Sequence, residues 1–153
     1  MRWITRENVK VGRMACAWVI QRFIDKNAEF LFVSGANAVE EGQRLYATAF
    51  HVPGSETARQ GDRSSCEVMI ERYGLAGDPA LVLVGQIVGT ADVHTSPWNR
   101  PEAAGLKAIT DGIRAVHSND AARLEAARMV FDALYAYCQQ AAQPGHSEPK
   151  AAH

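Results

Sequence analysis

Four basic side chains fall between residues 6 and 22, namely Arg6, Lys10, Arg13 and Arg22. The planar donor fork of arginine matches the oxygens of a tetrahedral anion, and lysine adds a compact positive charge. Together they predict a pocket that binds an oxyanion. Arg13, however, lies on the opposite side of a helical wheel from Arg22, which argues against a single pocket.

Arg22 raises a question of its own. On the helical wheel it falls in the middle of an apolar arc formed by Val11, Met14, Ala15 and Trp18. A charge directed at the core needs a partner, because burying it unpaired costs several kcal/mol or more. The partner is either Asp25, three residues later, another acidic side chain, or a bound anion. We favour the structural role for Arg22 and assign ligand contact to Arg6.

Three cysteines provide a second candidate chemistry. Cys16, Cys66 and Cys138 form an odd set without a CxxC pair, which favours reduced thiols over disulfides. Cys16 lies one helical turn after Arg13, and Cys66 lies at a predicted, exposed helix start near Arg63. Either one is a small buried apolar residue or a redox-active thiolate. We expect Cys138 to pack in the core.

A third candidate is a divalent transition metal bound by mixed nitrogen and oxygen ligands. Two irregular segments, 54–65 and 91–102, have nearby carboxylate and imidazole groups at His51, Asp62, Glu67, Asp92 and His94. We select Glu67, Asp92 and His94 as the ligand set. Turn and cap roles for Asp62 and Asp92 are the alternative, since no established ligand spacing such as HExxH is present.

Other classes of function receive no support from the sequence. It lacks a G-x-S-x-G motif, a P-loop and a dinucleotide glycine pattern. The net charge is -1, from 16 basic and 17 acidic residues, and gives no general attraction to nucleic acid or anionic membranes. There is no apolar run of the roughly 20 residues that a membrane helix needs, and no secretory signal. We therefore expect a cytoplasmic protein.

The helices and strands that must position these residues are predicted from hydrophobic periodicity and from the turn-forming residues that interrupt it. We predict strands near residues 2–5, 29–33 and 48–52 and five to six helices, which include 9–25, 36–44, a helix capped by Ser64 or Ser65, and one that starts at Asp78-Pro79. This is an α+β fold, mainly helical, with a small N-terminal sheet element. We expect one domain over residues 1–138 and a disordered tail over 139–153.

Two C-terminal helices show clear apolar stripes. In the first, which Pro101 opens, the stripe consists of Leu106, Ile109, Ile113 and Val116. In the second it consists of Leu124, Phe131, Leu134, Tyr135 and Cys138. We expect both stripes to face the core, with Arg128 and Asp132 paired along the side of the last helix.

The order of several short segments resembles a known family. These are "RWITRE", "GRMACAWVIQRFID", "AEFLFV", "FHVPGSE…GDRSS", "YGLAGDPAL…IV…AD", "AAGLKAI" and "FDALYAYC". As an ordered set they resemble the ChrB-type domain of chromate-resistance proteins, from about Trp3 to Cys138. The resemblance implies a cytoplasmic bacterial protein connected with chromate resistance. Its longer relatives add an N-terminal regulatory part and act as chromate-responsive regulators; since "RWITRE" begins at Arg2, we do not expect this chain alone to bind DNA.

The sequence departs from the family pattern at three positions. Relatives tend to carry histidines where this chain has Gln60 and Gly89, and a proline where it has Ala17. If those histidines bind metal in relatives, the ligands left here are Glu67, Asp92 and His94.

The resemblance, together with the arginine cluster, predicts a non-enzymatic accessory or sensor domain that binds chromate, sulfate or a metal ion, with a homodimer possible. The alternative is a metal-dependent or thiol-based detoxification enzyme.

Overall fold

A computed structural model describes residues 1–35 and 37–143. The elements, in chain order, are β1 (Arg2–Arg6), α1 (Val11–Val19), a π-helical turn (Ile20–Ile24), β2 (Glu29–Val33), α2 (Ala38–Leu45), β3 (Ala47–Ala49), α3 (Ser65–Arg72), α4 (Pro79–Asp92), α5 (Glu102–Val116) and α6 (Asp120–Ala141). The predicted α+β class, mainly helical with a small N-terminal sheet, is confirmed. Within the described ranges, none of the helices is both long enough and apolar enough to cross a membrane.

The three strands form a parallel sheet in the order β2-β1-β3. Arg2 of β1 lies opposite Glu29 on one side and Ala47 on the other. The central strand is buried through Trp3, Ile4 and Thr5. After β1 the chain forms β2 on one side of it and then β3 on the other side. The connections therefore leave β1 in opposite directions across the sheet, which makes β1 the switch point of the topology. In open parallel sheets, ligands bind beside the carboxyl ends of the strands at such a switch point.

Helix α1 is the centre of the helical layer. It packs against α3, α4, α5 and α6, and eight of its nine residues are buried. Large side chains from several elements complete the core around it, among them Trp3, Phe50, Met69, Leu81 and Phe131. The start of α1 is therefore fixed on all sides by the fold.

Arg22 lies in the π-helical turn that follows α1. The amide of Asp25 donates to the carbonyl of Ile20 at 2.7 Å, a spacing of five residues rather than four. Arg22 stays beside Trp18 of the apolar arc, but its guanidinium is 41% exposed rather than directed into the core. It donates to Asp132 at 2.6 Å and lies 4.8 Å from the centre of the Tyr135 ring.

Two predicted ion pairs are consequently wrong. Arg22 pairs with Asp132 of α6 rather than with Asp25, whose carboxylate accepts from Trp3 Nε1 and from the N-terminal ammonium, both at 2.9 Å. Arg128 pairs with Glu125 rather than with Asp132. The prediction that Arg22 meets an acidic side chain of the protein is confirmed, with a partner 110 residues away in sequence.

Local capping signals agree with the structure. Ser64 and Glu67 form a capping box at the start of α3. Asp78 accepts from the amides of Ala80 and Leu81 at 3.0 and 3.2 Å, with Pro79 in the first helical position. Each of these helix starts is determined by residues within four positions of it.

Several predicted boundaries shift. The third strand is Ala47–Ala49, shorter than 48–52 and starting one residue earlier. Helix α4 continues to Asp92, and α6 continues to Ala141, past the predicted start of the tail at 139. The predicted helix start at residue 36 and the tail over 144–153 lie outside the described residues.

The apolar stripes of the two C-terminal helices differ in how far they are buried. In α6, Leu124, Phe131, Tyr135 and Cys138 are buried as predicted, and Leu134 is partly buried. Of the predicted α5 stripe only Leu106 is buried, whereas Ile109 is 53% and Val116 is 77% exposed. The expectation that the whole α5 stripe faces the core is therefore wrong.

Candidate functional site

The carboxyl edge of the sheet gathers several of the predicted site residues. Arg6 ends β1, Lys10 is the N-cap of α1, and Arg13 lies in its first turn. His51 follows β3 by two residues, so it reaches the same edge from the other side of β1. We call this region the α1 entry site and define it by Arg6, Lys10, Arg13, Cys16, His51, Arg59 and Asp92.

A carboxylate from the far end of the chain holds the loop that leads into α1. Asp120, which is buried, accepts from the amides of Asn8 and Val9 at 2.8 and 2.9 Å. It also accepts from Arg123 at 3.1 Å. Asn8 has a positive φ of 63°, a conformation that asparagine tolerates better than most residues. The sequence did not predict this role, because Asp120 lies 111 residues from Val9 along the chain.

His51 lies at the centre of the site. Its Nδ1 is 3.7 Å from Cys16 Sγ, and its Nε2 is 3.7 Å from Asp92 Oδ2. Its backbone is left-handed, with φ of 51°, which is uncommon for a histidine and typical of functional sites. Burial, and then the charge of Arg13, lower the pKa of His51 to about 4. The imidazole is therefore neutral at physiological pH.

Gly12 makes the close packing of this site possible. A Cβ atom at this position would lie 2.2 Å from Asp92 Oδ2 and 2.4 Å from His51 Cε1. No side chain is compatible with these distances unless both groups move. The glycine in the first turn of α1 thus allows an imidazole and a carboxylate to lie directly against the helix backbone.

The charges in the site are predominantly positive. Burial raises the pKa of Asp92, while the nearby cations Arg13, Arg59 and Lys10 oppose that rise. Burial and the neighbouring charge of Arg6 lower the pKa of Arg13. The Arg13 Nε atom is buried and has no hydrogen-bond partner in the described part of the chain. Its N–H group is a donor without an acceptor, in a cationic environment.

The start of α1 adds to this positive potential. Lys10, its N-cap, makes no side-chain cap hydrogen bond, and the first turn contains no acidic residue. The first amide groups of a helix have no partners within the helix, and the helix dipole places positive charge at that end. An anion at this position would interact with both the amides and the side chains.

The thiols are buried and protonated. Cys16 and Cys66 are both fully buried, and burial raises the pKa of each thiol well above its usual value. Cys66 is thus not at an exposed helix end, as its sequence position suggested. Burial also raises the pKa of Cys138, to about 11. A thiolate nucleophile is not favoured at any of these positions.

The predicted metal ligands have other partners. Glu67 accepts from the backbone and hydroxyl of Ser64, at 2.9 and 2.8 Å, and from Trp98 Nε1 at 2.5 Å. Asp92 lies beside His51, and His94 is exposed in the turn after α4. Across residues 1–35 and 37–143, no group of three or more histidine, cysteine, aspartate or glutamate side chains is placed to hold a metal ion.

Glu67 of α3 packs against the last turns of α4, where Asp92 also lies. A Cβ atom at Gly89, one turn before Asp92, would be 2.5 Å from Glu67 Oε2. The start of α3 and the end of α4 therefore meet. The Glu67 carboxylate thus occupies the space that a side chain at Gly89 would take.

The lowered pKa of His51 predicts a pH-dependent stability. Between pH 6.5 and about 4 the unfolded chain takes up a proton that the folded protein does not, so the free energy of unfolding decreases as pH falls. The loss reaches about 3 kcal/mol. The raised pKa of Asp92 acts in the opposite direction near the acidic end of this range. Urea denaturation at several pH values measures the slope.

The matched variant for this measurement is His51→Asn, because asparagine tolerates a positive φ and does not titrate. We expect a flatter dependence on pH for the variant than for the unchanged protein. Equal slopes between pH 6.5 and 4 in the two proteins would show that His51 is not responsible.

Comparison with known proteins identifies relatives of this chain. A family model described as "ChrB, C-terminal domain" matches residues 3–138. Protein ChrB of Cupriavidus metallidurans is 36% identical over 136 residues, which are 89% of this chain and 40% of that protein. The chain thus spans less than half the length of this relative. A search of solved structures gives no significant match.

Proposed function

Because the chain belongs to the family of ChrB C-terminal domains, we propose that it serves in chromate resistance by binding a tetrahedral oxyanion with the shape and charge of chromate or sulfate. The proposed binding position is the α1 entry site. One observation carries the proposal: the buried Arg13 Nε donor lacks an acceptor in the described part of the chain and lies among further cations at the switch point of the sheet.

The charge balance supports a dianion as ligand. Arg6, Lys10, Arg13 and Arg59 contribute four positive charges, and Asp92 contributes one negative charge, which leaves three. Charges at close range attract an anion more strongly in a partly desolvated site than in water. A dianion therefore neutralises most of the excess without creating a negative site.

The polar groups offer the donors that a tetrahedral oxyanion needs. Arginine binds two oxygens at once, and the α1 amides add backbone donors. The charges of Arg13 and Arg59 act on the Asp92 carboxylate. All three cysteines are free thiols, which is consistent with a reducing compartment such as the cytoplasm.

Arg22 is placed differently from the other predicted anion ligands. Its guanidinium is already paired with Asp132 and stacked over aromatic rings of α1, the π-helical turn and α6. In our proposal Arg22 takes no part in anion binding. It therefore provides a control with the same side-chain chemistry as Arg13.

Isothermal titration with chromate and with sulfate tests the proposal. We expect heat from both anions with the intact protein and a loss of affinity of about tenfold or more for Arg13→Gln, because a charged, desolvated hydrogen bond is worth about 1.5–3 kcal/mol. Arg6→Ala is expected to weaken binding less, since Arg6 is exposed. Arg22→Gln should leave the affinity unchanged.

Two outcomes would contradict the proposal. One is that neither chromate nor sulfate produces heat with the intact protein. The other is an equal loss of affinity for Arg22→Gln and Arg13→Gln, which would place the anion elsewhere or reveal a general effect of charge.

The alternative function, a thiol-based reductase, loses support because Cys16 is fully buried and burial raises the pKa of its thiol. We therefore expect the chromate absorbance to stay constant during the titration. A decrease in absorbance would contradict simple binding.

A further inference from the structure

One carboxylate lies among the cations of the α1 entry site. Asp92 is the last residue of α4, and its Oδ2 atom would lie 2.2 Å from a Cβ atom at Gly12, in the first turn of α1. Its side chain is 23% exposed, so a small molecule in solvent can reach it. A negative charge at this position opposes the binding of an anion, and Asp92 therefore affects which anions the site accepts.

The Asp92 carboxylate has acceptor capacity that the described fold does not use. His51 Nε2 is 3.7 Å from Oδ2, which exceeds the length of a hydrogen bond. Within residues 1–35 and 37–143 no other side chain or amide donates to this carboxylate, and only burial and charges act on its pKa. An ionised carboxylate is solely an acceptor, and a partly buried one without donors is costly. Asp92 is thus an acceptor without a donor.

Arg13 presents the opposite case one residue after Gly12. Its buried Nε–H group has no acceptor among the described residues. Burial has the largest effect on the pKa of both Arg13 and Asp92, and the charge of each acts against that effect on the other. The two charges are therefore close enough to interact. A donor without an acceptor and an acceptor without a donor occur in the same site.

The two helix ends give the site a donor side and an acceptor side. The first amides of α1 have no partner within the helix, and the positive end of the helix dipole lies there. Asp92 ends α4, where the last carbonyl groups and the negative end of that dipole lie. A ligand that touches both helix ends meets donors on one side and acceptors on the other.

We propose that Asp92 determines the specificity of the α1 entry site, and that the site prefers an oxyanion that carries a hydrogen, such as hydrogen phosphate or hydrogen chromate, over sulfate. The inference rests on the proposed function, because it assigns a class of ligand to the same site. The bare oxygens of the ligand accept from Arg13 and the α1 amides, and its hydroxyl group donates to Asp92. Sulfate at neutral pH carries no hydrogen, so the carboxylate repels the oxygen that faces it.

Titration calorimetry of the full chain with inorganic phosphate and with sulfate, at about pH 8, tests the inference. Both anions are then mainly tetrahedral dianions that differ by one hydrogen. Nearby cations favour the ionised form of Asp92, and His51, with a pKa of about 4, is neutral. We expect phosphate to bind about tenfold or more tightly than sulfate, because only phosphate donates a hydrogen bond to the charged group.

Asp92→Asn removes the charge and keeps the shape of the side chain. Its amide group can donate to sulfate, so we expect sulfate to bind more tightly than it does to the unchanged protein. The preference for phosphate is expected to fall below about threefold. Asp111→Asn is the matched control, because it removes the same charge from a half-exposed side chain of α5 that pairs with Lys107. It should leave the ratio of the two affinities unchanged.

The outcomes separate this inference from the proposed function. Equal affinities for phosphate and sulfate in the unchanged protein, or tighter binding of sulfate, would overturn the inference and leave the proposed function standing. A preference for phosphate that persists in Asp92→Asn would also overturn the role of Asp92. If phosphate, chromate and sulfate all fail to bind the unchanged protein, the proposed function and the inference are both wrong.

Discussion

Asp120→Ala is expected to lower the free energy of unfolding by about 3–5 kcal/mol, because it removes the only carboxylate that pairs with the buried Arg123 guanidinium in the described part of the chain, and it leaves two backbone amides without their acceptor. Asp120 and Arg123 are only 8% and 12% exposed, so water replaces the lost hydrogen bonds poorly. Urea denaturation at pH 7 measures the change.

The matched control is Asp111→Ala. Asp111 also lies on a helix and also pairs with a basic side chain, Lys107, but both groups are about half exposed. Exposed pairs of this kind contribute about 0.3–0.5 kcal/mol. Similar losses for the two variants would show that Asp120 is an ordinary surface carboxylate rather than the group that holds the loop before α1.

Gly12→Ala is expected to displace His51 and Asp92 and to abolish measurable anion binding. The new Cβ atom would lie 2.2 Å from a carboxylate oxygen and 2.4 Å from a ring carbon, so both side chains must move. Overpacking of this kind costs about 1–3 kcal/mol of stability. The same titration with chromate and sulfate, together with urea denaturation, measures both effects.

Gly112→Ala is the matched control. It separates the steric clash expected at Gly12 from the general effect of replacing a helical glycine by alanine. Gly112 lies within α5, and a Cβ atom there would have no neighbour within 4 Å. Alanine in place of an exposed helical glycine stabilises by about 0.5–1 kcal/mol. If Gly12→Ala also stabilised the protein and bound the anion normally, the proposed contact of His51 and Asp92 with the helix backbone would be wrong.

These two predictions concern the same feature, the start of α1. The Asp120 carboxylate accepts hydrogen bonds from the loop that precedes α1. The absence of a side chain at Gly12 lets His51 and Asp92 pack against the first turn of the helix. Loss of either contact changes where Arg13 points. If the anion site is where we propose, Asp120→Ala should also weaken anion binding at temperatures at which the variant is still folded.

Much of the fold could be predicted from the sequence because its signals are local. The capping box of Ser64 and Glu67 and the Asp78-Pro79 start each act within one helical turn. The segment "EFLFV" over residues 29–33 is too short and too apolar to be anything other than a strand. The ordered motifs were also sufficient to identify the family over the span that the family model matches.

Part of the candidate site could be predicted as well. Arg6, Lys10 and Arg13 are close in sequence, and the strand-to-helix connection keeps them close in space. Arg59 was missed, and the pairing of His51 with Cys16 was not foreseen, because these residues come from different elements. The sequence placed His51 only among the carboxylate and imidazole groups near the two irregular segments, without indicating its neighbours.

The tertiary structure alone decided the partners of the charged groups and the burial of individual faces. A 3.6-residue wheel directs Arg22 at the core, whereas the structure leaves its guanidinium partly exposed over aromatic rings and paired with Asp132 of the last helix. Likewise, apolar periodicity shows that α5 has an apolar stripe but not which residues a neighbouring element covers, so Ile109 and Val116 remain exposed. Periodicity and caps act within a few residues and can be read along the chain, whereas Asp120 beside Val9, Arg22 beside Asp132 and His51 between Cys16 and Asp92 depend on elements brought together from distant parts of the sequence.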